Sequence, residues 1–188
     1  MAKKSTIAAG WLQTTAVRLT RVHFVYIGFY LLSIVIFDAS NLYTYTAIAQ
    51  LWTAGGIFLG VNAILWLLAR LNVANYWFYV VLVIGLILAD ITLASYLVWW
   101  QHGLYSKSVM LFTIPILASA ALRSRSLVFA TAALSAAAYS TISVRYFFNN
   151  YGLGYRVELW GTVGFFSAMF IVLALLLMII IRPTQEKF

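Results

Sequence analysis

One carboxylate stands inside an otherwise apolar run, GLILADITLASYLVWWQHG over residues 85–103. If that run crosses a membrane, Asp90 offers two chemistries: a proton-sensitive group, or a polar contact for a ligand. An ionisable side chain at such depth is costly unless it is neutral, paired or used. The plainer reading is a protonated or hydrogen-bonded Asp90 that pins two helices together. Thr92, Ser95 and Tyr96 follow at helical spacings of three and four, and such a polar stripe is predicted to face a bundle interior. Arg145, in STISVRYFF, is the candidate to neutralise Asp90, although its long stem can equally snorkel outward. Asn62, on the second apolar run, bears on the same question. Facing Asp90 it would make the interior polar; facing lipid it would mark a missing helical partner.

The histidines are His23 and His102. His23 is predicted near the inner end of the first helix and His102 in an outer loop, too far apart to share a metal. A zinc site from His102, Asp38 and Glu158 is chemically conceivable but unspecific, and no metal is expected. His102 could instead report pH on the outer side, because histidine titrates near neutrality. The sequence holds no HExxH, GxSxG, P-loop or CxxC pattern. No catalytic constellation and no cofactor are expected.

These residues sit in a chain of 188 residues that is 64% hydrophobic and 9% charged, far from soluble composition. It reads as an integral membrane protein, all-α and polytopic, with the lipid bilayer as its surroundings. The net charge of +8 does not point to nucleic acid, because the basic residues stand at the ends of apolar runs. Cysteine is absent, which leaves no disulfide framework. The basic, then apolar start MAKKSTIAAGWLQTTAVRLTRVHF resembles a signal peptide. The long apolar run after it, with no small-x-small cleavage pattern, favours an uncleaved first helix.

Six apolar helices are predicted, near 18–37, 47–69, 77–100, 108–122, 127–147 and 158–181. The fourth is short and carries Pro115, so it is read as a thin, kinked span or a re-entrant segment. With six spans and an inside N-terminus, Lys3, Lys4, Arg18, Arg21, Arg70, Arg123, Arg125, Arg182 and Lys187 lie inside. Lys107, Arg145 and Arg156 then lie outside. That imbalance fits the positive-inside rule better than five spans, and puts both termini in the cytoplasm. The loops are too short for a soluble domain, so residues 1–188 form a single membrane domain of three helical hairpins.

Small residues suggest close helix approach. Gly56 and Gly60 make a GxxxG on the second helix. Ala132, Ala133, Ala136 and Ala137 recur at similar spacing on the fifth. Packing within the bundle is favoured over dimerisation. Aromatic residues including Tyr43, Tyr45, Trp52, Trp99, Trp100, Tyr105, Tyr146, Phe147, Tyr151, Tyr155 and Trp160 gather near the outer surface. An interfacial belt accounts for them more simply than a ligand-binding mouth.

The run from Asp90 to Ser140, DITLASYLVWWQHGLYSKSVMLFTIPILASAALRSRSLVFATAALSAAAYS, resembles the six-helix N-terminal sensory regions of bacterial two-component histidine kinases, of the pilus-regulator and redox-regulator sensor types. The matching features are Asp90 in the third helix, Gly103 and Ser106 in the outer turn, Pro115, the basic turn of Arg123 and Arg125, and the Ala/Leu-rich stretch 127–140. The entry VRLTRVHFVYI, with Arg18 and Arg21, is similar too. QHGLYSKS departs from the paired glycines common at that turn. No phosphoacceptor helix or ATP-binding domain follows the last helix. The chain is therefore expected to lack kinase activity, either as the sensory module of a longer protein or as a free-standing relative. Pro183, which would end the sixth helix, favours the latter.

The resemblance implies a mechanism in which a signal shifts the sixth helix and so reaches a cytoplasmic output. The leading expectation is a non-catalytic sensory module in the bacterial cytoplasmic membrane. It would act as a homodimer or with a membrane or cytoplasmic signalling partner. The alternatives are a small transporter or channel subunit, and a partner-binding membrane subunit without its own ligand. The candidate sensing residues are Asp90, Thr92, Ser95, Tyr96, Asn62, Arg145 and His102.

Overall fold

The structure is a computed structural model that describes residues 2–151 and 156–181, with side chains over 10–151 and 157–181. Arg182, Pro183 and Lys187, and the side chains of Lys3, Lys4 and Arg156, lie outside the described residues, as does Tyr155. The chain is helical and, among the described residues, has no strand. Helices α1 (Ala2–Ala39), α2 (Tyr45–Ala69) and α3 (Tyr76–Trp100) come first. Two 3₁₀ turns, Gly103–Tyr105 and Lys107–Phe112, lead into α4 (Thr113–Ala120). Helices α5 (Arg125–Asn150) and α6 (Arg156–Ile180) complete the order. Five of these helices are long and apolar enough to cross a membrane, and Lys107–Ala120 is a shorter apolar segment. By that length and composition the chain is an integral membrane protein.

Two boundaries differ from the sequence expectation, each for a physical reason. Helix α1 begins well before residue 18. Arg18 and Arg21 do not interrupt it, because both are exposed on the face opposite the packed one. That packed face, Leu12, Ala16, Thr20, His23, Ile27, Tyr30 and Ile34, runs unbroken at spacings of three and four. The fourth segment is not a kinked α-helix. Pro115 occupies the first turn of α4, where a backbone N–H would have no intrahelical acceptor, so the ring starts the helix rather than bending it.

The packing divides into two compact units, Met1–Ala89 and Asp90–Phe188. In the first, α1 and α2 pack closely. The Tyr30 hydroxyl donates to the Leu51 carbonyl at 2.9 Å. Phe24 meets Trp66 and Tyr26 meets Phe58 edge to face, at 6.1 and 6.0 Å. Gly55 faces Tyr30 and Leu31, where an added Cβ would come within 2.7 Å of Leu31 Cδ2. The α2–α3 turn is tied down from both sides. Gln13 Nε2 donates to Leu71 O at 3.2 Å and to Asn72 Oδ1 at 3.0 Å, and Tyr79 donates its hydroxyl to Leu71 O.

In the second unit, α5 packs against α6 and α4. Phe112, Tyr139, Phe166 and Phe170 form its aromatic core. Ser124 caps α5 by accepting from Leu127 N. Helix α3 is the most deeply buried span. Half of its most apolar window is inside, against 17–33% for the other four.

Candidate functional site

Asp90 opens the second unit and is 3% exposed. Its neighbours do not form one stripe with it. Thr92 is exposed and Ser95 and Tyr96 are only half-buried, while Ile91, Leu93 and Ala94 share the interior with Asp90. Ser95 gives its hydroxyl to the Ile91 carbonyl at 2.8 Å, within its own helix. The expected inward polar stripe is therefore corrected to Asp90 alone, because Thr92 falls on the opposite side of α3. Asp90 is engaged in this interior, although its Oδ1 accepts no hydrogen bond.

Arg145 does not neutralise Asp90. Its side chain is exposed, and the guanidinium lies 5.8 Å from the centre of the Trp99 ring. Cation–π contact satisfies the charge near the helix end, so the stem does not reach inward. Asn62 is fully buried in the first unit, where its Nδ2 donates to the Thr20 carbonyl of α1 at 3.1 Å. It ties α2 to α1 and does not face lipid.

His102 is exposed at the end of α3 in a left-handed conformation, φ 72°, and is followed by Gly103 at φ 58°. This turn is closely packed. The Tyr146 ring lies on Gly103 so closely that an added Cβ would stand 2.2 Å from Tyr146 Cδ1. Beside it, Gln101, Ser106 and Ser108 form a buried knot. Ser106 Oγ lies 3.4 Å from Gln101 Oε1, Ser108 gives its hydroxyl to the same oxygen, and Ser108 N donates to Ser106 Oγ at 3.0 Å. Aromatic rings close around the turn. Trp99 meets Tyr146 at 5.5 Å, Tyr146 meets Tyr151 at 6.1 Å, and Tyr105 meets Tyr151 at 6.2 Å. The Tyr105 hydroxyl donates to Glu158 Oε1, in the first turn of α6, at 3.1 Å. Several aromatic residues read as a belt thus form one folded cluster around Gly103.

Among the described residues, no three His, Asp or Glu side chains are placed to hold a metal ion.

The small-residue surfaces also differ from expectation. Gly56 and Gly60 are exposed with open space where a Cβ would stand, whereas their neighbour Gly55 makes the close approach to α1. On α5, Ala132 is buried and Ala136 half-buried, but Ala133 and Ala137 are exposed. Packing within the chain accordingly uses one glycine and one edge of the alanine pattern.

Two features escaped the reading of residue types. His23 is 3% exposed, on the packed face of α1, with Nδ1 2.8 Å from the Leu19 carbonyl. The second is a buried polar face on α5. Thr131, Ser135, Tyr139 and Ser143 recur every fourth residue, and the last three are fully buried. Both were signalled by spacing: His23 lies in register with Thr20 and Ile27, and the α5 hydroxyls stand four apart in ATAALSAAAYSTISV.

Comparison with family models, with curated proteins and with solved structures finds no match to this chain.

Proposed function

We propose that this chain is a non-catalytic membrane sensory module, similar in design to the sensor regions of bacterial histidine kinases. It would lie in the cytoplasmic membrane with six spans and both termini inside. The carrying observation is the link from the Gly103 turn to the last helix. Tyr105, within the aromatic cluster, bonds Glu158 in the first turn of α6. A change at the turn therefore has a direct mechanical route into α6, the helix from which an output would be driven. The short fourth segment is compatible with a sixth span. Its first six residues are 3₁₀, which rises about 2.0 Å per residue, and the whole segment is about 24 Å long. A homodimer, or a membrane or cytoplasmic signalling partner, would receive the motion.

The absence of cysteine makes the test clean. Spin labels on cysteines introduced at Ser126 and Ile179 would report the α5–α6 separation in nanodiscs. The sensory reading expects Tyr105→Phe and Gly103→Ala to shift that distance distribution. Distributions identical to the parent's in both variants would sink it.

A second reading, a small transporter or channel subunit, draws support from the buried hydroxyls of α5, since polar groups inside spans often line a path. Solute or ion flux into proteoliposomes containing the purified chain would favour it over sensing.

A further inference from the structure

We propose that Arg18 and Arg21 bind the phosphate of one anionic phospholipid, with an acyl chain laid along Val22, Val25, Phe29 and Leu32 of α1. The inference does not rest on the sensory reading and holds for either orientation of the chain in a bilayer.

Hydrogen bonds to α2 and its following turn fix the depth of the two arginines. Gln13 donates to Leu71 O, Asn62 to Thr20 O and Tyr30 to Leu51 O, so α1 and α2 run antiparallel. Arg18 and Arg21 bracket Thr20 in sequence and therefore stand near the level of Asn62. From Asn62 to the end of α2 at Ala69 is about 10 Å of helix. Over that length α2 still exposes Ile64, Leu67 and Leu68. The arginines are thus rooted within the apolar zone of the helix pair, and both are exposed. A guanidinium there is costly unless it reaches the headgroups or meets an anion. Side chains leave a helix tilted toward its N-terminus, which for α1 is toward the surface that Arg70 marks on α2.

Other arginines of the chain are met from within it. Arg70 lies over Trp66 at 3.9 Å and Arg145 over Trp99 at 5.8 Å. Among the described residues, Arg18 and Arg21 have no hydrogen-bond, ion-pair or ring partner. The acids of the chain are Asp38, Asp90, Glu158 and Glu186. Asp38 lies at the other end of α1, Asp90 is buried, Glu158 accepts from Tyr105, and Glu186 is outside the described residues. Three residues apart, Arg18 and Arg21 share one face of the helix. Together they offer the paired, planar donors that phosphate oxygens accept.

The rest of that face decides what carries the phosphate. From Arg18 it continues through Val22, Val25, Phe29, Leu32 and Ile36, at alternating spacings of four and three, and these side chains are 53–69% exposed. Gly28, with nothing within 4 Å of an added Cβ, leaves a notch beside them. A cationic head above an apolar track suits an amphiphile rather than a free anion. With no carboxylate in the same half of α1, the arginines disfavour a headgroup that carries its own ammonium. Phosphatidylglycerol has the required chemistry, a phosphate with no cation.

Native mass spectrometry of the full chain in detergent, titrated with phosphatidylglycerol or phosphatidylcholine, tests the site. The parent is expected to hold one phosphatidylglycerol in preference to phosphatidylcholine. Arg18→Gln/Arg21→Gln is expected to weaken that binding about thirtyfold, the combined effect of two basic residues at an anionic surface. Arg70→Gln, at a position already stacked on Trp66, should bind as the parent does. Equal binding of the two lipids, an unchanged double variant, or an equal loss in Arg70→Gln overturns the proposal. Displacement of the lipid by inorganic phosphate at matched concentration also overturns it, and makes the site one for free phosphate. A second measurement does not depend on adducts. Phosphatidylglycerol should raise the melting temperature of the parent and not that of the double variant. A rise of equal size in both overturns the proposal as well.

Discussion

The face of the Tyr146 ring occupies the space in which any side chain at Gly103 would begin, 2.2 Å from an ideal Cβ, and Gly103 itself stands at φ 58°. Two independent constraints therefore fall on one residue. A left-handed backbone costs a non-glycine residue about 1–2 kcal/mol. Overpacking a close contact adds about 1–3 kcal/mol. Gly103→Ala is expected to lose at least about 2 kcal/mol of stability by these principles. The double variant Gly103→Ala/Tyr146→Ala should recover the steric part but not the backbone part. Thermal or denaturant unfolding in detergent measures both. A double variant no better than Gly103→Ala would mean that the ring contact carries no strain.

Asp90 and Arg145 occupy different environments, one buried and the other stacked outside on Trp99. Their losses should accordingly add. Asp90→Asn combined with Arg145→Gln is expected to equal the sum of the singles within about 0.5 kcal/mol, as for residues in separate environments. Charge reversal at both positions should not restore stability. Arg145→Lys should weaken the Trp99 contact without disturbing Asp90, because a guanidinium stacks on an aromatic face better than an ammonium does. A coupling well beyond the additive limit would place the two residues in one network.

Helix existence was legible because apolar length is a direct consequence of spanning hydrocarbon. All five long spans lie where apolar runs stand in the sequence. Their ends were less legible. Arg18 and Arg21 looked like a boundary, but a helix exposes arginine on its outer face without stopping. Pro115 looked like a kink, and its effect depends on the turn it occupies, which composition does not reveal. Within the site, the burial of Asp90 could be reasoned from cost, but the partner of Arg145 could not. Arg145 and Trp99 meet only because α3 and α5 pack there, a tertiary fact. The α5 hydroxyls show the opposite case. Their fourfold spacing was visible in the sequence and lay unnoticed beneath the alanines that surround it.

Asn62 joins α2 to α1 through Thr20 O at 3.1 Å, while its Oδ1 is buried without a partner. The two atoms act in opposite directions. An interhelical hydrogen bond in a bilayer contributes about 0.6 kcal/mol on average. Removing an unmet carbonyl oxygen recovers part of that. Asn62→Leu, close in size and wholly apolar, is therefore expected to change stability by less than about 1 kcal/mol. Asn62→Asp should cost more, since it removes the donor and brings an acid into a buried site. Unfolding of the two variants side by side checks the order, and an Asp variant as stable as the Leu variant would contradict it.

Adjacent glycines on α2 give opposite forecasts. Gly55 faces Tyr30 and Leu31, with the nearest atoms 2.7 and 3.0 Å from an added Cβ. Gly56 and Gly60 meet nothing within 4 Å. Gly55→Val should cost about 1–3 kcal/mol by forcing α1 and α2 apart. Gly60→Ala should gain about 0.5–1 kcal/mol, the ordinary advantage of alanine within a helix. The same pair of variants separates packing within the chain from packing between chains. If the Gly56–Gly60 face joins two copies, Gly60→Ala should weaken self-association in detergent while leaving α1–α2 packing untouched. Sedimentation of the parent and the two variants at matched concentration decides. A dimer lost in Gly60→Ala assigns that face to a second copy, and an unchanged sedimentation coefficient assigns it to lipid.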